Sequence, residues 1–195
     1  YATGYRPGGP NYAVSDPVTG LPVADPTFEE DELKSYEIGF KTQNDNGSFG
    51  LDIAAYLIDW ERIQLSVLRS GFPAINNAPG GATIRGAELT VTGRPVTPLQ
   101  LTTSLAYVDA YLSEADADLG GAKGERLPSS PRFAGTFGVD YQFPFGPLEP
   151  SIGASVRHVT DRTASFNQSV SYPQYRLPDY TTVDLRAGIS MGTAS

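Results

Sequence analysis

Arg132-Phe-Ala-Gly-Thr-Phe-Gly-Val-Asp-Tyr-Gln-Phe143 puts Phe133, Gly135, Phe137, Val139, Tyr141 and Phe143 on one side of an extended chain. Arg132, Ala134, Thr136, Gly138, Asp140 and Gln142 fall on the other. Successive side chains of a β-strand point to opposite faces, so 132–143 predicts a strand with one face suited to lipid and the other to water.

The same period of two recurs along the chain. Tyr36, Ile38 and Phe40 alternate with Ser35, Glu37, Gly39 and Lys41, and Phe49, Leu51, Ile53, Ala55 and Leu57 with Gly50, Asp52, Ala54 and Tyr56, before the pattern blurs at Ile58 to Trp60. Ala87, Leu89 and Val91 oppose Gly86, Glu88, Thr90 and Thr92; Leu99, Leu101, Leu105 and Tyr107 oppose Gln100, Thr102, Ser104 and Ala106. Ile152, Ala154 and Val156 oppose Ser151, Gly153, Ser155 and Arg157, while Val183, Leu185, Ala187, Ile189 and Met191 oppose Asp184, Arg186, Gly188 and Ser190. With Tyr1 to Tyr5 read as the tail of a further strand, the expectation is about eight antiparallel strands and an all-β fold.

A soluble sandwich also alternates, so the residue types and the connections decide. The polar faces carry Gly, Ser, Thr, Asp and Arg, as a water-filled lumen requires, and the aromatics Tyr36, Phe49, Tyr107, Phe133, Tyr141, Phe143 and Tyr180 gather near strand ends. Aromatic rings favour the two headgroup levels of a membrane. The connections alternate between short (44–47, 93–98 and 144–149) and long (6–33, 69–82, 110–131 and 161–179). That is the pattern of a transmembrane β-barrel wall, with short periplasmic turns and long outer loops.

Composition sets limits. No run of about 18 apolar residues exists, so a transmembrane helix is excluded. A mean hydropathy of -0.25 suits a barrel, in which only alternate residues meet lipid. There is no cysteine, hence no disulfide scaffold or thiolate metal site, and Tyr1 opens without the basic-then-apolar order of a secretory signal. A net charge of -8 with no basic patch argues against nucleic acid as a partner.

Catalytic and metal signals are weak. Glu29-Glu-Asp-Glu32 with Asp25 lacks the spacing of a calcium loop and reads as a solvated acidic loop base. His158, the sole histidine, has neither a second His nor a Gly-x-Ser-x-Gly turn to work with, and is expected near a strand end at the outer interface. Asp140, Asp184, Arg132, Arg157 and Arg186 share lumen parity, which suits inter-strand pairs or hydration. Trp60 is expected to anchor the interface rather than to stack on a ligand. No residue is assigned a catalytic role, and no cofactor or metal is expected.

Tyr1-Ala-Thr-Gly-Tyr-Arg-Pro-Gly-Gly-Pro-Asn11, Lys34-Ser-Tyr-Glu-Ile-Gly-Phe-Lys41, Ala55-Tyr-Leu-Ile-Asp-Trp60, Asn77-Ala78, Gly86-Ala-Glu-Leu89, Ser104-Leu-Ala-Tyr107 and Leu127-Pro128 through Pro131 follow one another in this order. In order and spacing they resemble the C-terminal half of a TonB-dependent outer-membrane receptor, over nearly the whole chain. The resemblance implies a wall segment of a barrel of about 22 strands filled by an N-terminal plug domain. On that comparison residues 1–195 are a fragment of the barrel domain, without the plug and without the last strands and their terminal aromatic. It also implies localisation in the bacterial outer membrane and energised import of a scarce ligand, typically a ferric siderophore. Lipid and lipopolysaccharide are then the expected surroundings, and TonB a partner reached through the plug.

Loops on a rigid wall can vary and form a ligand cup. The candidate ligand surface is therefore the loop tips and upper lumen, where Arg6, Asn11, Tyr12, Arg69, Phe72, Asn76, Asn77, Lys123, Arg126, Arg162, Phe166, Gln168, Tyr172, Tyr175 and Arg176 mix cations, amides and aromatics. Such a mixture suits an anionic, partly aromatic chelate. Two other classes stay open: an autonomous eight-stranded structural or adhesion barrel, since about eight strands suffice to close one, and a small membrane enzyme, for which lone His158 offers too little.

Overall fold

The computed structural model describes residues 1–22, 24–69, 72–78, 80–117, 119–144, 148–169 and 173–191, with only the backbone at 67–69 and 191. The strands are β1 (Ala2–Arg6), β2 (Gly9–Pro10), β3 (Thr27–Phe28), β4 (Asp31–Gln43), β5 (Phe49–Glu61), β6 (Gln64–Arg69), β7 (Phe72–Asn77), β8 (Ala82–Val96), β9 (Leu99–Leu112), β10 (Phe133–Gln142), β11 (Leu148–Val159), β12 (Arg162–Thr163), β13 (Arg176–Leu177) and β14 (Tyr180–Met191). No helix occurs among the described residues.

Eight strands form one sheet in the order β1-β4-β5-β8-β9-β10-β11-β14, and every neighbouring pair in it is antiparallel. β1 and β14 are its two edges. The eight strands are thus an open wall, which removes the reading of a small barrel closed on itself.

The register carries the alternation across the wall. One outward row runs Phe40, Ile53, Leu89, Leu105, Gly135 and His158, and the next runs Thr42, Leu51, Val91, Thr103, Phe137, Val156 and Val183. These apolar residues have no protein core to enter: Ile38 is 78% exposed and Leu185 81%. The opposite face is polar, with Lys41, Asp52, Thr90, Ser104, Thr136, Arg157 and Thr182 in one unbroken row. A one-residue slip would move each set to the wrong side, so this face pattern specifies the register.

On the inner face Arg186 of β14 reaches over β11 to Asp140 of β10, with Nε donating to Oδ1 at 2.7 Å and Nη2 to Oδ2 at 2.6 Å. The residue beneath is Gly153, which pairs in register with both, and a Cβ there would overlap the carboxylate and the guanidinium together. Glycine at this position lets a fork-shaped pair span three strands.

β4, β5, β8 and β9 contain 13, 13, 15 and 14 residues. Because roughly 9–11 tilted residues cross a bilayer, their ends rise above it and continue into the outer loops. The buried apolar side chains lie at this outer level. Ile63, Ala78 and Ala82 form a cluster with Trp60, Leu65, Leu119 and Leu127 packed against it, and Leu112 and Phe166 are 1% and 7% exposed.

Three sequence expectations change here. The loop expected over 69–82 is in part strand: Gln64–Arg69 and Phe72–Asn77 pair antiparallel, β6 with β7. Trp60 is not a lipid anchor: its position in the β4–β5 register puts it on the inner face, where its indole donates to Asp31 at 3.1 Å. Tyr180 likewise has inner parity, with the Arg162 guanidinium 5.8 Å from its ring centroid. His158 lies near the outer end of β11, as expected, 3.0 Å from the Thr181 hydroxyl.

Replacing Gly153 with Val should destabilise the folded wall by about 1–3 kcal/mol through overpacking. Asp140→Ala should cost no more than about 1 kcal/mol, because both partners of its ion pair are half exposed. Urea unfolding of the protein in lipid vesicles checks the order. A Gly153→Val midpoint equal to wild type contradicts it.

Candidate functional site

The outer loops, 7–30, 62–81, 113–132 and 160–179, are joined to one another rather than standing as separate tips. At the top of β1 and β4, Asp31 is 2% exposed and accepts hydrogen bonds from three residues on three strands. Arg6 gives it the backbone N–H at 3.0 Å, Nε at 2.7 Å and a close Nη2 contact; Trp60 Nε1 and the Gln64 N–H donate at 3.1 and 3.4 Å. Burial pushes the Asp31 carboxyl up, but the hydrogen bonds from Arg6, Trp60 and Gln64 together hold it below the usual carboxylate range.

Three amides then clasp the first two loops. Gln64 Nε2 donates to the carbonyls of Arg6, Pro7 and Glu29 at 3.3, 3.0 and 2.9 Å. Asn77 Nδ2 donates to Glu29 and Arg62 carbonyls at 2.9 and 2.8 Å while its Oδ1 accepts from the Glu29 N–H at 2.7 Å. Asn11 does the same one step further out, donating to Asp25 and Ile75 carbonyls at 2.9 and 2.8 Å and accepting from the Ile75 N–H at 2.9 Å.

The last two loops are joined as tightly. The Ser129 N–H donates to the Thr163 carbonyl at 2.7 Å, the Gln168 N–H to Gly120 at 3.0 Å, and the Asn167 N–H to the Glu125 carboxylate at 2.7 Å. Gly120 has φ 66° and leaves no room for a Cβ beneath the Gln168 carbonyl, so only glycine fits this crossing. Asp161 draws in two cations, Arg176 at 3.3 Å and Arg126 at 3.9 Å. The Ser113 N–H, donating to the Gly81 carbonyl at 3.2 Å, connects the two halves of the layer.

These contacts sort the expected ligand residues. Arg6, Asn11, Asn77, Arg126 and Arg176 are engaged within the loop layer, Phe166 is buried, and Asn76 lies half-buried in β7. Tyr12 and Tyr175, 80% and 63% exposed, remain available at the surface, with Phe72 at 40%. Lys123 and Gln168 are exposed, and the Arg162 side chain rests over Tyr180. Tyr172 lies outside the described residues, as does the side chain of Arg69.

Below the loops, the inner face holds a bay of about 290 Å³ lined by Glu88, Thr90, Ser104, Ala106, Thr136 and Arg157. Arg157 is exposed and, among the described residues, has no carboxylate within ion-pair distance; Glu88, on the far side of two intervening strands, has no cation within that distance. The Thr90 and Ser104 hydroxyls lie 3.4 Å apart on its floor. Sequence reading gave Arg157 lumen parity but not this company, which depends on the register of four strands.

Residues 1–193 match the family model described as TonB dependent receptor-like, beta-barrel. The chain belongs to the TonB-dependent receptor family. Members are outer-membrane transport receptors and not enzymes, which closes the enzyme alternative. The metal-pseudopaline receptor CntO of Pseudomonas aeruginosa is 31% identical over 172 residues, 88% of this chain and 23% of that receptor. Two solved structures share the fold: the ferric yersiniabactin uptake receptor FyuA of Yersinia pestis, with TM-score 0.71, 19% identity and 94% of this chain covered, and BauA, the ferric preacinetobactin receptor of Acinetobacter baumannii, with 0.68, 19% and 98%. The match spans 26% of each of those chains, so this receptor segment corresponds to about a quarter of such a protein.

The Asp31 hub makes the order of the first two loops depend on pH. Its carboxyl is held below the unfolded value, so its stabilising contribution is complete above the ordinary carboxylate range near 4 and disappears as pH falls through the lowered value. Asp31→Asn in the receptor should speed hydrogen exchange at the Arg6 and Gln64 amides by roughly ten- to a hundredfold at neutral pH. Exchange unchanged by that substitution contradicts the hub.

Proposed function

We propose that this chain is part of the barrel domain of a receptor that binds a metal complex of a small organic chelator at its outer face and imports it through the outer membrane with energy from TonB. The rest of the barrel and the plug domain that contacts TonB lie in other parts of the polypeptide. The observation that carries this is the match of nearly the whole wall, strands and long loops together, to receptor barrels. The ligand class is drawn from relatives whose names specify metal-pseudopaline, ferric yersiniabactin and ferric preacinetobactin. A ferric siderophore is one member of that class.

The chemistry of this sector fits a chelate that is bound by few cations. Residues 7–30 hold four carboxylates and no Lys or Arg, and Arg6, Arg62, Arg126 and Arg176 are all ion-paired to carboxylates of the same layer. Arg157 is an exposed cation facing the lumen below them, beside the hydroxyls of Thr90, Ser104 and Thr136. A chelate or a plug segment carrying an anionic oxygen would be held there by a charge-assisted pair, with Tyr12 and Tyr175 offering ring faces above.

Uptake of radiolabelled metal by cells expressing the full-length receptor, supplied with a panel of chelates under metal limitation, tests the function. One chelate of the panel should be taken up only when TonB is present, and Arg157→Ala should weaken its half-saturation concentration by about tenfold. Uptake independent of TonB, or no receptor-dependent uptake of any metal chelate, overturns the proposal.

A further inference from the structure

The inner face of β11 and β14 carries a column of side chains that rises from the bay into the outer loops. Arg157 pairs in register with Thr182, and one inner step above them Val159 pairs with Tyr180. Two residues of strand advance about 6.6 Å. Beyond Val159 the chain turns into β12, and the Arg162 guanidinium comes back over the Tyr180 ring, 5.8 Å from its centroid. Val159 is buried while Tyr180 is exposed. An aromatic ring therefore separates two guanidiniums that lie on the order of 10 Å apart along the wall.

Neither guanidinium is matched within the protein. Among the described residues no carboxylate comes within ion-pair distance of Arg157 or Arg162, and Nη1 of Arg162 is buried without a hydrogen-bond partner. A charged donor removed from water and left unpaired is costly, and its presence calls for an acceptor from outside the wall. Asp161, beside Arg162 in sequence, is shared by Arg176 at 3.3 Å and Arg126 at 3.9 Å, and Glu125 accepts from the backbone of Ala122 and Asn167. Asp179 directly precedes Tyr180 and so falls on the outward parity. Asp184 pairs with Ser155 one inner step below Thr182, and Glu88 stands across the bay from Arg157. These last two carboxylates bound the column beneath and at its side, so an anion that passes Tyr180 is held at Arg157.

We propose that Arg162 and Arg157, with the Tyr180 ring between them, form a two-point anion site that selects metal chelates carrying two or more anionic oxygen groups over uncharged ones. The site rests on the chelate-binding reading given above and narrows it to a charge class. A guanidinium meets a carboxylate with two parallel donors, and stacking on Tyr180 holds the upper fork in place, so less freedom is lost when the anion arrives. The Ser104 and Thr136 hydroxyls add neutral donors at the lower point. The spacing makes the pair selective: a chelate with one anionic group satisfies one guanidinium and leaves the other as it was, and an uncharged chelate satisfies neither.

The test titrates the full-length receptor, purified in detergent, with two ferric complexes of one chelator skeleton: the dianionic complex of diethylenetriaminepentaacetate and the uncharged complex of its bis(methylamide). Wild type should bind the dianionic complex about tenfold more tightly than the uncharged one. Arg157→Ala and Arg162→Ala should each cut that preference to about threefold, and the double variant should abolish it. Tyr180→Leu should act like Arg162→Ala, whereas Tyr180→Phe, which keeps the ring, should not, the split expected of a positioning residue. Arg94→Ala, which removes a cation at the opposite end of β8, should leave the preference unchanged. Heat-modifiable migration on gels confirms that each variant is folded. Equal binding or no binding of the two complexes by wild type, or a preference that survives in the folded double variant, overturns the site. TonB-dependent uptake of a chelate alongside either result leaves the transport reading standing without the site, and no TonB-dependent uptake of any chelate overturns the reading on which the site rests.

Discussion

Backbone pairing is the constraint on which everything else in this structure depends. A chain crossing hydrocarbon has no water to satisfy its amides, so each N–H and C=O must find a partner on a neighbouring strand. The antiparallel ladder from β1 to β14 provides those partners in one continuous sheet, and its register then dictates the faces. Once Phe40 pairs with Ile53 and Ile53 with Leu89, every second residue of seven strands is committed to lipid and the residues between them to the lumen. Gly153 shows how closely the inner face follows this rule. The ion pair between Asp140 and Arg186 exists because the strand between them carries no side chain at the crossing point.

The same constraint explains where the buried residues are. A lipid-facing wall has no interior of its own on either side, so its apolar residues remain exposed on the protein, and close packing appears only where the strands leave the membrane. There Ile63, Ala78 and Ala82 pack with Trp60, while Asp31 gathers donors from β1, β5 and β6. Removing water from a carboxylate is costly unless hydrogen bonds replace it, and Asp31 has them. The outer loops of this sector are consequently a packed layer fastened by side-chain amides and not a set of free tips.

Legibility from sequence follows the range of the interactions. The wall was legible because its signal is local: Phe133 to Gln142 is an alternating strand by inspection, and it is β10 in the structure. The hairpin Gln64–Asn77 had a local signal too, two strand-like runs separated by Ser70-Gly71, but a long loop was the simpler expectation. Trp60 and Tyr180 needed only strict use of parity, which puts both on the inner face. Asp31 and Arg6 were beyond reach, since their 25-residue separation is closed by the β1–β4 register. Asn11 and Asn77 looked like ligand amides for the same reason: a polar side chain in a loop does not reveal whether its partner is a ligand or another loop.

Parity also divides the labour between guanidiniums. Arg85 and Arg157 are both exposed residues near outer strand ends, and neither has a carboxylate partner among the described residues. Arg85 shares the parity of Ala87 and Leu89 and stands beside an aromatic row, whereas Arg157 shares the parity of Ser155 and Gly153 and stands in a bay of hydroxyls. A cation at the edge of hydrocarbon is stable only where it can reach headgroups, a polar partner or water, and one in a polar lumen draws whatever anion passes or docks there. A one-residue shift in register would exchange these two environments and leave both charges misplaced. The rigid ladder is therefore what assigns Arg85 to the outward face and Arg157 to the inner one.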